Sequence, residues 1–218
     1  MMTTSRSQPA RSRLGFYSCY VYSPRGEDEV SRGSRLLCAR VKAGNRRWLR
    51  RYVAAVRDHR IMQACVQGLS CAGSVLVPIP PSDSSTPTAL WPSHLLALAL
   101  CNAGLAASVW IGIRRRRSIA RSSQAWRWER PSVFEHYRSL ALERPTSSPM
   151  QVLLIDDVVT KGRTLMAAAL RLRSAFPHAQ IRAFALVRTL GFVPGIRQLL
   201  DPCQGEIRWN GTDTDRQP

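Results

Sequence analysis

Short apolar runs alternate with stretches of helical period over most of the chain. Residues 74–79, 108–113, 151–155 and 181–187 are short, mostly apolar runs, as strands buried on both faces require. Between them, apolar positions recur at helical spacing over 92–101, 131–142 and 164–176, the last stopped by Pro177. The alternation predicts an α/β fold with a parallel sheet flanked by helices. Upstream, residues 16–22 read as a strand closed by the turn Ser23-Pro24-Arg25-Gly26. Residues 46–66 read as one amphipathic helix that buries Trp48, Leu49, Tyr52, Val53, Val56, Ile61 and Cys65, faces its arginines outward and ends before Gly68. Residues 114–130 are polar, basic and without period, so a long exposed loop is expected there. The resulting division is a disordered basic tail (1–15), a small N-terminal strand-and-helix hood (16–72), a core (73–200) and a C-terminal tail (201–218) that is mobile after Trp209.

Residues 95–113 carry no charge and precede the basic run Arg114–Arg117, which imitates a membrane span. Pro92 and Ser93 open a helix, however, and Asn102 with Gly104 stops it, so two soluble elements are expected. The six cysteines include no C-x-x-C pair, so the spacing of a structural zinc site is missing. The start of the chain has no apolar secretory segment, and a reducing cytoplasm is the expected compartment.

Charge adds a ligand class. Lys plus Arg number 32 against 14 Asp plus Glu, a net charge of +18, and only Lys42 and Lys161 are lysines. Planar guanidinium groups suit phosphate oxygens, so a polyanion is expected, either a sugar pyrophosphate or a nucleic acid.

The chemistry concentrates in residues 152–164. The apolar run Val152-Leu153-Leu154-Ile155 delivers Asp156 and Asp157 at its carboxyl end, where ligands of open α/β sheets bind. Val158, Val159, Thr160, Lys161, Gly162, Arg163 and Thr164 then lead into a helix whose first N–H groups lack intrahelical partners and lie at the positive end of its dipole. That is an anion site. Gly162 permits close backbone approach, Thr160 and Thr164 add hydroxyl donors, and Lys161 and Arg163 add charge. Two carboxylates beside a phosphate repel it unless they face neutral hydroxyls, so Asp156 and Asp157 suit a sugar diol.

This segment resembles the signature of the type I phosphoribosyltransferases. The resemblance implies that fold, with 5-phosphoribosyl-1-pyrophosphate as donor: Asp156 and Asp157 on the ribose hydroxyls, Val159–Thr164 around the 5-phosphate, and Mg2+ carried by the pyrophosphate rather than by protein ligands. Lys161 departs from the usual Thr-Thr-Gly segment and offers an ammonium in place of a hydroxyl. Flanking segments resemble the competence protein F branch, named for bacterial DNA uptake. Val41-Lys42-Ala43-Gly44 is similar to its Leu-Lys-x-x-Gly element, and Val77-Pro78-Ile79-Pro80 to its Pro-rich second strand. Arg121-Ser122-Ser123-Gln124, with Arg130 and Phe134, is similar to its mobile loop. The branch's four-cysteine zinc element is missing here.

By the same resemblance, residues 80–86 take the place of the pyrophosphate loop, so Pro81, Ser82, Asp83, Ser84 and Lys42 are expected at the pyrophosphate, and Arg117, Arg121, Gln124 and Arg130 on the flexible loop. The loop lacks its usual basic residue, which Arg114–Arg117 or Arg121 could supply on closure. The implied reaction is displacement of pyrophosphate at the anomeric carbon, with no general base legible; His59, His94, His136 and His178 read as isolated surface or structural residues. No G-x-x-x-x-G-K-[ST] stretch exists, which removes a nucleotide hydrolase reading. The rival is a non-catalytic protein of the same fold that binds nucleic acid through its arginines or acts as a regulator, in DNA uptake or nucleotide metabolism. Acceptor and oligomeric state, a homodimer included, are not legible.

Overall fold

The computed structural model describes residues 12–68, 73–83, 91–119, 130–145, 147–191 and 193–218. Its centre is a six-stranded sheet of order β2-β5-β6-β1-β7-β8, built from β1 (Ser12–Tyr22), β2 (Ser74–Pro78), β5 (Gln151–Val159), β6 (Gln180–Thr189), β7 (Leu200–Trp209) and β8 (Thr214–Gln217). The pairs β2/β5, β5/β6 and β6/β1 are parallel, with Leu76 opposite Leu153 and Ile155 opposite Phe184. The pairs β1/β7 and β7/β8 are antiparallel. The α/β architecture with a mostly parallel sheet is thus as the alternating pattern predicts.

Helices cover both faces. One face packs against α1 (Glu29–Lys42), α2 (Arg46–Val56), α3 (Arg60–Val66) and α4 (Pro92–Asn102) through Leu37, Val53, Met62 and Leu96. The other packs against α5 (Val133–Ser139) and α6 (Arg163–Ala175) through Val133, Leu165, Ala168 and Leu172, with the small ribbon β3 (Ile113–Arg115) and β4 (Leu140–Leu142) beside them. Central strands buried on both sides account for the unbroken apolar runs.

Several elements differ from expectation. The helix expected over 46–66 is two helices: after α2, His59 turns extended (ψ 135°) and its Nδ1 accepts the Ile61 amide at 3.1 Å, so a new N-cap starts α3. The strand expected over 108–113 is a single parallel bridge, Leu76 to Val109, after which the chain leaves the sheet to form β3. The helix expected over 131–142 is held by a capping box between Ser132 and Glu135 but stops at Ser139, where Leu140 turns extended to pair β4 with β3. β1 is not confined to a hood; it lies between β6 and β7 inside the sheet. Residues 201–218 are not a loose tail either, since β7 runs antiparallel along β1 and β8 closes a hairpin on it. No helix among the described residues is long and apolar enough to cross a membrane, and α4 ends at Asn102 with Gly104 at φ +73°.

Candidate functional site

The carboxyl ends of the parallel strands β2, β5 and β6 lie on the same side of the sheet, where residues 81–83 follow β2 and residues 156–164 end β5 and lead into α6. β5 is buried from Val152 to Ile155 and partly buried at Asp156 and Asp157, so the strand core presents the two acids at its rim. Ser93, in the first turn of α4, donates its hydroxyl to Asp156 Oδ1 at 3.3 Å, and the Asp157 amide donates to the same oxygen at 2.9 Å. Burial raises the Asp156 pKa well above the ordinary carboxylate value, and the neighbouring Asp157 carboxylate raises it further.

Past Val159 the loop turns through Thr160 and Lys161 to Gly162, the N-cap of α6, at φ +77°. No side chain caps this helix, and its first backbone bond runs from the Met166 amide to the Gly162 carbonyl at 2.9 Å. The amides of Arg163, Thr164 and Leu165 therefore have no helical acceptor, and they stand at the positive end of a 13-residue helix. A side chain at position 162 is excluded twice: the left-handed φ strains any L-residue, and a Cβ would lie 2.4 Å from Ile207 Cδ1. Thr160 is exposed, and its hydroxyl meets that of Thr189 at 3.2 Å.

Lys161 and Arg163 are turned elsewhere than a direct phosphate contact requires. Lys161 Nζ lies 2.5 Å from Asp213 Oδ2 and Arg163 Nε lies 2.6 Å from Asp213 Oδ1. Arg163 Nη1 also donates to the Arg130 carbonyl at 3.1 Å, which brings the expected loop residue Arg130 next to the start of α6.

The expected pyrophosphate segment is tied to β3. The Pro81 carbonyl accepts Arg115 Nε at 3.2 Å, the Ser82 carbonyl accepts the Ile119 amide at 3.0 Å, and Asp83 Oδ1 accepts the Ser118 hydroxyl at 3.0 Å. Ser84, Arg121 and Gln124 lie outside the described residues. Arg117 is exposed and within electrostatic reach of Glu135. Lys42 is exposed in the last turn of α1; burial above all pushes the Cys38 thiol up, Lys42 pulls it down and Asp157 pushes it up.

Three residues gain a definite place at the site only through the fold. Arg115 is largely buried and spans the site floor, donating to Pro81 and to the Ser139 hydroxyl and meeting His136 Nδ1 at 3.4 Å. Burial lowers its pKa to about 10, which leaves it cationic at neutral pH, and Asp156 opposes that shift. His136 is buried, not a surface residue, and reaches the Thr164 hydroxyl at 3.4 Å. Burial first, then Arg115 and Arg163, drives its pKa down to about 3, so its ring is neutral. A continuous path therefore links Pro81 to the first turn of α6 through Arg115 and His136. The third is Asp213. Arg115 was one of four in an undifferentiated basic run, and its contacts with Pro81, Ser139 and His136 single it out.

Among the described residues no group of three or more His, Cys, Asp or Glu could hold a metal ion. No protein-family model matches the chain, and a search of curated proteins returns no match.

Proposed function

We propose that the chain is a phosphoribosyltransferase of the type I fold, binding 5-phosphoribosyl-1-pyrophosphate and passing its phosphoribosyl group to a nucleophilic acceptor with release of pyrophosphate. The observation that carries this reading is an acid pair at the carboxyl end of a buried parallel strand, one short turn before an uncapped helix N-terminus entered through a left-handed glycine. In it, the ionised Asp156 and Asp157 accept hydrogen bonds from the ribose diol. The Arg163, Thr164 and Leu165 amides and the Thr160 and Thr164 hydroxyls hold the 5-phosphate. Arg115, fixed beneath Pro81, supplies the positive charge that residues 80–86 lack and stabilises the departing pyrophosphate as the C1–O bond breaks. Magnesium would arrive on the pyrophosphate with its shell filled by phosphate oxygens and water, as suits a small cation that dehydrates reluctantly. When bound, the ion neutralises charge growing on the leaving group. Asp156 and Asp157 orient the ring and favour positive charge on it.

Calorimetry with magnesium and 5-phosphoribosyl-1-pyrophosphate tests the proposal. The wild type binds and Asp156→Asn/Asp157→Asn does not; equal binding by both removes the mechanism.

One observation favours the rival. Arg46, Arg47, Arg50 and Arg51 are all exposed on α2, and residues 30–82 carry a single acid, Asp58. A polyanion-binding protein of the same fold has use for that face. A salt-dependent gel shift of labelled DNA, unaffected by the sugar pyrophosphate and lost on replacing those arginines, selects it.

A further inference from the structure

We infer that Asp213 is the affinity-setting counter-ion of the phosphate loop, competing with an incoming phosphate for the same two cations, Lys161 and Arg163. The inference rests on the phosphate-binding reading of that loop and concerns a residue of the C-terminal hairpin, far away in sequence.

The carboxylate is built into place. Asn210 Oδ1 accepts from the Thr212 amide at 2.9 Å, the Thr212 hydroxyl at 2.8 Å and the Asp213 amide at 2.9 Å, which fixes the turn between β7 and β8. The Thr214 amide then donates to Asp213 Oδ1 at 2.7 Å and orients the carboxyl group. Each carboxylate oxygen takes one cation of the loop. The hairpin that carries Asp213 is itself held on the same loop: Ile207 packs over Gly162, and Arg216 donates to the Thr160 carbonyl at 2.7 Å and the Thr189 carbonyl at 2.6 Å.

The hydrogen bond from Arg163 keeps the Asp213 carboxyl far below its ordinary range, with Lys161 adding to the effect, so it is ionised at any physiological pH. Two cations and one anion leave a net single positive charge beside the amides. A phosphate ester must draw Lys161 or Arg163 away from an existing partner and does so against a like charge at short range. The side chains of Lys161 and Asp213 are 45% and 36% exposed, so the pair is screened and exchangeable, and a dianion also held by backbone amides displaces it. The consequence is selectivity. Phosphate alone is held weakly, and a ligand that also places a diol on Asp156 and Asp157 is admitted.

The test compares the wild type, Asp213→Asn and Asp213→Ser for binding of inorganic phosphate and of ribose 5-phosphate by calorimetry, with folding checked by circular dichroism. Removing one like charge from a half-exposed site tightens both ligands by about tenfold. Lys161→Gln reverses much of that gain in the Asp213→Asn background and has a smaller effect alone. In the wild type, hydrogen exchange at residues 210–217 speeds up when ribose 5-phosphate binds, a readout that needs no variant. Unchanged or weaker binding by folded variants, or unchanged exchange in a wild type that binds, overturns the role of Asp213 and leaves the phosphate loop standing. Failure of every protein to bind either ligand overturns the loop reading together with this inference.

Discussion

Gly162→Ala offers the sharpest test of how the loop is built. The residue sits at φ +77°, where an L-residue costs about 1–2 kcal/mol. Its new Cβ would fall 2.4 Å from Ile207 Cδ1 and 2.9 Å from Cγ1, and Ile207 is wholly buried in β7, so it cannot swing into solvent. Forcing one methyl into a packed core costs about 1–3 kcal/mol more. The expected loss is about 2–5 kcal/mol, read from urea unfolding midpoints at unchanged slope. Ile207→Ala makes room, so in that background Gly162→Ala should cost only the backbone share, about 1–2 kcal/mol. A single-variant loss under about 1 kcal/mol refutes the strain and the overlap together; equal losses in both backgrounds refute the overlap alone.

The buried histidine predicts an acid-sensitive fold. His136 stays neutral in the native state down to about pH 3 but takes a proton near 6.5 once unfolded, so the unfolded form binds more protons between those values and stability falls as pH drops through that window. The slope approaches about 1.4 kcal/mol per pH unit, and unfolding curves for His136→Asn should lack that share of it. Asp156 works in the opposite direction. Its raised pKa means the native state is penalised as pH rises above the ordinary carboxylate value, so Asp156→Asn should melt higher than wild type at pH 7 and lose that advantage near pH 4, by calorimetric scanning, while abolishing donor binding. Arg115→Met strips the Pro81 carbonyl, the Ser139 hydroxyl and His136 of one partner, with an expected cost of about 2–4 kcal/mol in urea; Arg115→Lys keeps the charge without the planar fork and should recover less than half.

What could be read from the chain depended on whether the signal was local. The run Val152–Ile155, the two acids after it and the helix beyond Gly162 follow one another within about a dozen positions, and the structure has a buried strand that ends in the two acids and a helix that starts after Gly162. α4 was legible for the same reason, with Pro92 and Gly104 marking its ends. The break after Val56 was not, because apolar spacing continues through it and only the Nδ1 cap of His59 shows a second helix beginning. Residues 140–142 continue a helical pattern but are pulled extended by β3, a partner more than twenty positions away. The C-terminal segment misled most: Asp, Gly and Thr after Trp209 look like tail composition, yet Asn210 and Gly211 form the turn of a hairpin anchored by Ile207 and Trp209 in the core. Asp213 could not have been linked to Lys161 or Arg163 by spacing, since about fifty residues separate them. His136 looked isolated because its neighbours, Arg115 and Thr164, come from different elements.

The position of β1 carries a consequence for biosynthesis. This strand leaves the ribosome well ahead of its neighbours, β6, where Phe16 meets Ala183, and β7, where Leu14 meets Ile207. Until β6 and β7 have emerged, Leu14, Phe16, Tyr17 and Val21 have both backbone edges open and no sheet to join. The nascent protein therefore carries a sticky ribbon until those strands are made, and its yield in cells should depend on chaperone supply and translation speed more than its finished stability suggests.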